Sequence, residues 1–414
     1  GFIGLFLPIT LIGFFLIAFA ASVLQYLGGD PSVFAAVMKA AFDSAKTAFE
    51  VALGLTGVMC LWLGVMKIGE QAGFLAALGR WLAPLFVRLF PDVPKGHPAL
   101  GSITMNMAAN VLGLDNAATP MGLKAMKELQ ELNPNKDTAS NAQILFLVIN
   151  ASSVTLLPVT IFTYRAQLGA ADPTDVFIPI LMATYCSTLA GFLFVAAVQR
   201  IRVDGVVLAW LGGITAVVGG LAMRFASLPA AEMTAQSSVL SNFVLLALIV
   251  MFLIGAAWKR VNAYEAFIEG AKEGFHTAVT IIPYLVAMLV AIGMLRASGA
   301  LPAFVEAARA GVALLGFDSG WVEALPTMVM KPLSGSGARA MMIETMQASG
   351  ADSFAGRLAS IVQGSTETTF YVLAVYFGSV GIKRVRHAVA GGLVADLGGF
   401  VAAVLAAYLF FGAA

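Results

Sequence analysis

Charge is scarce in this chain. Only 11% of its 414 residues are charged and 59% are hydrophobic, with a mean hydropathy of +0.89, whereas soluble domains carry about 25% charged residues. That shortage excludes an ordinary soluble domain and predicts a polytopic membrane protein in contact with a lipid bilayer. The net charge is +1, so there is no basic excess to attract nucleic acid. Cysteine is as rare: Cys60 and Cys186 are the two in the chain. Both sit in apolar stretches, where a small packing role outweighs a disulfide or metal role. The three histidines, His97, His276 and His387, are scattered and show no metal-ligand spacing. No Ser/His/Asp set and no phosphate loop is present. No enzyme, resident cofactor or metal site is therefore expected; if a carrier here is driven, an ion gradient of H+ or Na+ is the expected driver.

What is abundant is long apolar sequence. Runs of roughly 20 residues suit membrane spans, and the candidates are 2–24, 45–67, 139–164, 175–199, 204–224, 238–258, 273–296, 354–379 and 387–412. The first is apolar for longer than a signal-peptide core and no cleavage pattern follows it, so it is read as a transmembrane helix. The chain starts at Gly1 and not at Met, and residues upstream are expected. Shorter or Gly/Pro-cut pieces lie at 73–90, 98–114, 116–130, 300–316, 321–333 and 337–349. They are too short or too broken for simple spans and are read as re-entrant hairpins or discontinuous helices.

Two polar, helix-breaking stretches interrupt this apolar background. The first runs from Asn106 through Asn110, Gly113, Asp115 and Asn116 to Pro120; the second runs from Lys331-Pro332 through Ser334-Gly335-Ser336-Gly337 to Arg339. Each is followed by a polar patch in an apolar run: Asn150-Ala-Ser152-Ser153-Val-Thr155, then Gln363-Gly-Ser365-Thr366-Glu367-Thr368-Thr369. Lipid cannot satisfy such groups, so they must face protein or a wet cavity. Interrupted segments at matching places in two halves point to a transporter binding site.

The matches extend further. Ala45-Lys46-Thr-Ala-Phe49 echoes Ala271-Lys272-Glu-Gly-Phe275, and Leu112 with Ala117 matches Leu333 with Ala338. Asn150–Thr155 lines up with Gln363–Thr368, and Ser187–Phe192 with Ala395–Phe400. The offsets are 226, 221, 213 and 208 residues, always in the same order. Positive charge then sets orientation. Arg200, Arg202, Lys259 and Arg260 bracket the pair 204–224 and 238–258, which leaves the cytoplasm and returns to it. Lys383, Arg384 and Arg386 mark another cytoplasmic turn, and Lys124, Lys127 and Lys136 one more. Segment 139–164 then runs inside to outside and its mate 354–379 the reverse, so the repeats are inverted around a spacer pair. The N-terminus falls inside and the C-terminus outside.

The motifs carry a resemblance. Gly-Leu-Asp-Asn-Ala-Ala-Thr-Pro-Met-Gly-Leu-Lys-Ala-Met (113–126) and Leu-Asn-Pro-Asn-Lys-Asp-Thr-Ala (132–139) resemble the spore maturation protein A family. Lys-Pro-Leu-Ser-Gly-Ser-Gly-Ala (331–338) and Gln-Gly-Ser-Thr-Glu-Thr-Thr-Phe-Tyr-Val-Leu-Ala-Val-Tyr-Phe-Gly (363–378) resemble the spore maturation protein B family. The resemblance covers nearly the whole chain, as a fusion with residues 1–202 as the first half and 203–414 as the second, the latter including spacer helices 204–258. It implies the nucleoside-recognition or Gate group. It also implies an all-α polytopic membrane fold of two inverted-topology repeats with re-entrant or discontinuous helices, similar to concentrative nucleoside transporters. It does not deliver a substrate, because fold does not settle function.

The residues themselves leave several alternatives open. Asp115 and Asn116 can cap a restarting helix or contact a ligand. Asn106 and Asn110, four apart, present amides to one helical face, as cavity lining or as helix–helix glue. Ser334-Gly-Ser336-Gly337 begins a helix with bare N–H groups and has Lys331 and Arg339 beside it. It is an anion-accepting turn or a tight re-entrant turn that needs glycine. Glu367 is read as an intramembrane carboxylate in mid-helix, able to carry a proton, bind a coupling cation or pair with Arg339 or Lys331. Asp396 is a second buried acid.

The resulting expectation is a multi-pass protein of the bacterial inner membrane. It would be a secondary transporter or permease for a small polar solute bound near the bilayer midplane. Asn106, Asn110, Asp115, Asn116, Asn150, Ser152 and Ser153 would line one side, and Lys331, Ser334, Ser336, Arg339, Gln363, Ser365, Thr366 and Glu367 the other. The alternative is a membrane scaffold or sensor that binds a ligand or partner without net transport. Gly212, Gly213, Gly219 and Gly220 in the spacer pair would allow the close helix contact of a homo-oligomer.

Overall fold

The computed structural model describes residues 2–113, 115–152 and 155–412, without the side chains of 2–10, 115–117, 120 and 230. The described residues build helices and their connections. After α1 (Phe2–Leu27) come α2 (Val33–Gln71), α3 (Phe74–Leu89), α4 (Pro98–Val111), α5 (Asp115–Leu132), α6 (Asn141–Ser152), α7 (Val159–Gln167) and α8 (Phe177–Gln199). The pair α9 (Gly205–Ala226) and α10 (Ala230–Trp258) follows. Then come α11 (Ala263–Ala297), α12 (Ala300–Leu314), a 3-10 turn (Gly320–Ala324), α13 (Leu325–Leu333), α14 (Gly335–Ser349), α15 (Phe354–Ser365), α16 (Thr369–Ser379) and α17 (Ala388–Phe411). The order long, short, hairpin, broken helix, long thus occurs on both sides of the α9–α10 pair. Gly73 and Gly299 stand at the same joint in each set, both with left-handed φ (85° and 78°) that only glycine holds cheaply.

Six of these helices, α2, α8, α9, α10, α11 and α17, are long and apolar enough to cross a membrane. The protein is accordingly a multi-pass membrane protein. Helix α2, at 39 residues, is about 58 Å long at 1.5 Å per residue, well beyond the hydrocarbon core of about 30 Å. Its first turns carry the exposed pairs Lys39–Asp43 and Lys46–Glu50, which suit headgroups and water.

Glycine sets the two closest helix contacts. Along α11, Gly270 and Gly274 press on the α2 backbone at Leu63 and Met59, while Gly293 meets Ser44. Higher numbers on one helix face lower numbers on the other, so α2 and α11 run antiparallel. Helices α8 and α17 do the same: Gly391 faces Val195, Gly399 faces Ser187, and Ser187 Oγ donates to the Ala395 carbonyl at 2.8 Å. Small residues at such contacts let backbones approach where lipid gives no hydrophobic drive. The α9–α10 pair is covered less. A side chain at Gly212, Gly213, Gly219 or Gly220 would meet nothing within 4 Å, so that face is open.

Two expectations need correction. Segments 139–164 and 354–379 are not continuous spans. The first is cut between α6 and α7, the second between α15 and α16. Pro158 caps α7 and has no N–H to continue a helix. In the second cut Thr366 is fully extended (φ −144°, ψ 168°), in a run of threonines that favour extended backbone. Glu367 is therefore not in mid-helix but on this unwound stretch, and it is exposed.

The connecting loops meet in two places. The Lys383 and Arg384 amides both donate to the Asp137 carbonyl, and Ala139 N–H donates to Arg384. The start of α6 therefore lies beside the end of α16. Elsewhere, Arg165 of α7 bridges Asp175 at 2.8 Å and Asp352 at 3.3 Å, and Arg357 holds the other Asp175 oxygen at 2.8 Å. The end of α7 therefore lies beside the start of α15. The end of α5 with Lys124 and Lys127, the turn with Lys136, and the turn 383–386, all read as cytoplasmic, fall at the same end.

Candidate functional site

Each hairpin tip abuts a helix break. In the first half the tip is Leu112 and Gly113. Leu156 N–H donates to the Val111 carbonyl at 2.8 Å, and a Cβ at Gly113 would sit 2.8 Å from the Leu157 oxygen. Gly113 also has φ 69°, so both space and backbone require glycine there. In the second half the tip is Ser334. Its hydroxyl accepts the Gly337 N–H at 3.0 Å and caps α14, and it shares a hydrogen bond with Ser336 at 3.2 Å. Gly335 lies against Thr368 of the break, whose Oγ1 would be 2.7 Å from a Cβ.

The two breaks are bonded to each other. Glu367 N–H donates to the Ala151 carbonyl at 2.7 Å. Each broken helix also sets a tyrosine on the other half's hairpin. Tyr376 of α16 packs where Gly122 of α5 leaves room, within hydrogen-bonding reach of Asn106 and Thr119. Tyr164 of α7 lies under the Arg339 guanidinium of α14, 5.7 Å from carbon to ring centre.

The first half's amides form a chain. Asn110 Nδ2 donates to Asn106 at 3.3 Å and to Asn150 at 2.9 Å, and Asn106 Nδ2 donates to the Ala118 carbonyl at 2.7 Å. Asn150 donates back to Phe146 at 2.9 Å. These groups tie α4, α5 and α6 together and use most of their valence inside the protein. Ser152 donates to its own helix at Ile149, and its carbonyl accepts from Thr184. The side chains of Asp115 and Asn116, and the whole of Ser153, lie outside the described residues. The backbone of α5 does begin at Asp115.

The second half is less satisfied. Among the described residues, the buried Gln363 Oε1 has no hydrogen-bond partner, while Thr366 lies within hydrogen-bonding reach of Asp396 and Arg339 within that of the Tyr164 hydroxyl. Ser365 donates to Val362 at 2.8 Å. Asp396 Oδ2 accepts from Thr369 Oγ1 at 2.7 Å. Lys331, buried, and Glu367 both lie within electrostatic reach of Asp396. Among the described residues no group of three His, Cys, Asp or Glu could hold a metal ion.

The structure thus gathers the expected Asn106, Asn110 and Asn150 at one break, and Lys331, Ser334, Gln363, Thr366 and Glu367 around the other. Arg339 stands one helical turn further on, against Tyr164. The sequence does not point to Tyr164, Tyr376 or Thr184, and it shows Thr369 and Ser187 only as part of a polar patch and a repeat match, not as lining residues. The tyrosines carry no local signal, being aromatic residues in apolar runs. Asp396 was visible as the lone acid of α17, but its partners come from a helix break that hydropathy did not reveal.

A cleft of ≈ 440 Å³ opens elsewhere, at the paired loops, lined by Asp92, Asn133, Thr138, Ser140, Asn141 and Arg386. Its walls bond among themselves: Asn133 donates to Thr138 and Gln143, and Arg386 to Ala139. It lies away from the breaks.

Comparison with known proteins gives the following. The nucleoside-recognition (Gate) family matches residues 52–168 and 278–383, together more than half of the chain. The two matches begin within α2 and α11 and end just past α7 and within the turn after α16. Spore maturation protein A of Bacillus subtilis (strain 168) is 43% identical over 157 residues, covering 38% of this chain and 80% of the relative. Spore maturation protein B of the same organism is 45% identical over 177 residues, covering 42% of this chain and 98% of the relative. No solved structure matches the chain.

Proposed function

We propose that this chain, which belongs to the nucleoside-recognition (Gate) family, is a secondary transporter or permease for a small polar solute in a bacterial inner membrane. One observation carries the reading: two broken helices meet by the Glu367–Ala151 hydrogen bond inside an apolar bundle, beside the buried amide oxygen of Gln363, which has no hydrogen-bond partner among the described residues. Unwound backbone at membrane depth is tolerated where it is buried in protein or lines a cavity, and carriers place substrate and ion sites at such breaks. The bacterial relatives support the membrane assigned.

The finer architecture is two inverted repeats joined near residue 203, similar to concentrative nucleoside transporters. Its support is the repeated element order, the antiparallel pairing of α2 with α11 and of α8 with α17, and the α6 start beside the α16 end. A two-fold relation perpendicular to the helices would produce all three. The two relatives, each covering about two-fifths of the chain, support a fused pair of halves.

Thermal stabilisation of the purified protein tests the binding site. The panel holds nucleosides, nucleobases, amino acids and small carboxylates. The expected result is a class of solute that raises the melting temperature of the native protein and fails to do so for Asn110→Ala and Glu367→Gln. The first variant cuts the amide chain and the second removes the exposed charge at the break. Stabilisation that survives both substitutions would move the site away from the breaks. No stabilisation across the panel would favour the scaffold or sensor reading, in which these residues contact a partner protein.

A further inference from the structure

We propose that two adjoining clefts, at the end of the bundle that carries the basic turns, bind an anionic phosphate ester through Arg200, Arg202 and Arg386, at the depth where a phospholipid headgroup presents one. The proposal does not rest on the transport reading.

The clefts measure ≈ 440 Å³ and ≈ 270 Å³ and share Asp92, Asn141 and Ala142 as a common wall. The larger falls in the range of about 300–1,000 Å³ usual for small-ligand sites. Arg386 lines the larger cleft, Arg200 and Arg202 line the smaller, and Asp92 is the carboxylate of both. Three guanidiniums against one carboxylate leave two positive charges uncompensated. Neighbouring arginines are paired, Arg88 with Asp204 at 3.0 Å and Arg384 with Asp137 at 3.8 Å. Among the described residues, Arg200, Arg202 and Arg386 have no such carboxylate partner.

Two of the three sit on costly backbone. Among the described residues, those other than glycine with positive φ are Arg200 (54°), Arg260 (55°) and Arg386 (51°). Glycine holds such a φ more cheaply, above all just past a helix end. Orienting the chain in the membrane needs positive charge somewhere in the turn. It does not call for arginine at the very positions that favour glycine. A ligand that takes the guanidinium there does.

Hydrogen bonds hold the walls in place. Gln199 Nε2 donates to the Asn141 carbonyl at 3.0 Å and fixes the end of α8 on the start of α6. Arg386 Nη1 donates to the Ala139 carbonyl at 3.0 Å, which leaves most of the five N–H donors of a guanidinium for a ligand. Ser140 and Gln143 cap α6 reciprocally, at 3.2 Å and 2.9 Å. The N–H groups of Asn141 and Ala142, the first two of α6, have no partner within the helix and belong to the common wall. Guanidinium forks beside a helix start suit phosphate oxygens.

Depth selects the source. Helix α8 ends at Gln199, α9 begins at Gly205 and α17 at Ala388, and each is long and apolar enough to cross a membrane. The three arginines stand within three residues of those ends, where the spans leave the hydrocarbon. Leu89, Phe90 and Leu145 line the smaller cleft beside Arg200 and Arg202, as suits the glycerol and first methylenes of a lipid. Basic pockets between spans take anionic headgroups.

The test uses the full chain, delipidated in a neutral detergent. Its melting temperature is followed against phosphatidylglycerol or phosphatidylcholine, and separately against glycerol phosphate at constant ionic strength. Phosphatidylglycerol should stabilise the native protein saturably, and phosphatidylcholine should not. Without lipid, Arg200→Gly should melt no lower than the native protein, because glycine suits that φ. It should nonetheless need about tenfold more phosphatidylglycerol, as should Arg386→Gln, each having lost a charged hydrogen bond. Arg260→Gly removes the third left-handed arginine, which lines neither cleft, and should respond as the native protein does. Should Arg386→Gln fail to fold, Arg200→Gly against Arg260→Gly carries the test alone. A response to glycerol phosphate but not to the lipid, weakened in the same variants, supports the site and gives it to a soluble ester. No stabilisation by either ester, equal stabilisation by the two lipids, or equal weakening in Arg200→Gly and Arg260→Gly overturns the proposal.

Discussion

Asp175→Ala is expected to destabilise the folded protein by about 3–5 kcal/mol, the cost of leaving one partner of a buried ion pair alone. Arg165 is fully buried, and its guanidinium donates to Asp175 at 2.8 Å and to the Ala351 carbonyl at 2.7 Å. Asp175 also holds Arg357, which stacks on the Phe411 ring at 4.6 Å. Alanine at 175 leaves two guanidiniums to share the half-exposed Asp352. Burial pushes the Asp175 carboxyl above its ordinary range even though both guanidiniums pull it down. The cluster as a unit thus adds little net stability, and its role is to fix the end of α7 against the start of α15. Reversible unfolding of detergent-solubilised protein measures the change. A loss below about 1 kcal/mol, the scale of an exposed pair, would mean that the cluster is not closed in the native protein.

Gly274→Leu should have an effect as large, by a different route. A Cβ at this position would lie 2.6 Å from the Met59 carbonyl oxygen and 2.8 Å from the Cys60 nitrogen. These are backbone atoms of α2, so no rotamer change relieves the clash. Overpacking costs about 1–3 kcal/mol where side chains can yield, and more where they cannot. Here α2 and α11 must separate along their whole contact. The expected outcome is loss of the monodisperse peak in size-exclusion chromatography. Gly212→Leu, which meets open space, should leave that peak intact. Equal behaviour of the two variants would contradict the α2–α11 packing.

Much of the fold was readable from hydropathy and punctuation. The short pieces at 73–90, 98–114, 116–130, 300–316 and 337–349 correspond to α3, α4, α5, α12 and α14 within a few residues, because Gly and Pro mark their ends. The breaks inside 139–164 and 354–379 were not readable as breaks. Apolar residues run through both, and a hydropathy window averages over a short extended stretch. Their polar residues stand out in the sequence, but polarity in mid-span suggests a lined helix as readily as an unwound one. The site was legible to the same degree. Asn106, Asn110 and Asn150 announce themselves as amides in apolar sequence, and the structure joins them. Tyr376 and Tyr164 do not, since their place depends on how the halves meet. Asp396 stood out as an acid, yet its partner Thr369 stands at a helix break, and the two become neighbours only in three dimensions.

The central claim is that the bonded breaks form the path of a carrier. Net flux in proteoliposomes tests it most directly, with an imposed gradient and the solute class found by thermal stabilisation. The account predicts saturable uptake by the native protein and uptake at the level of empty liposomes for Glu367→Gln, which must remain folded and monodisperse. Uptake by Glu367→Gln equal to the native protein, or no uptake by native protein that binds the solute, would contradict it.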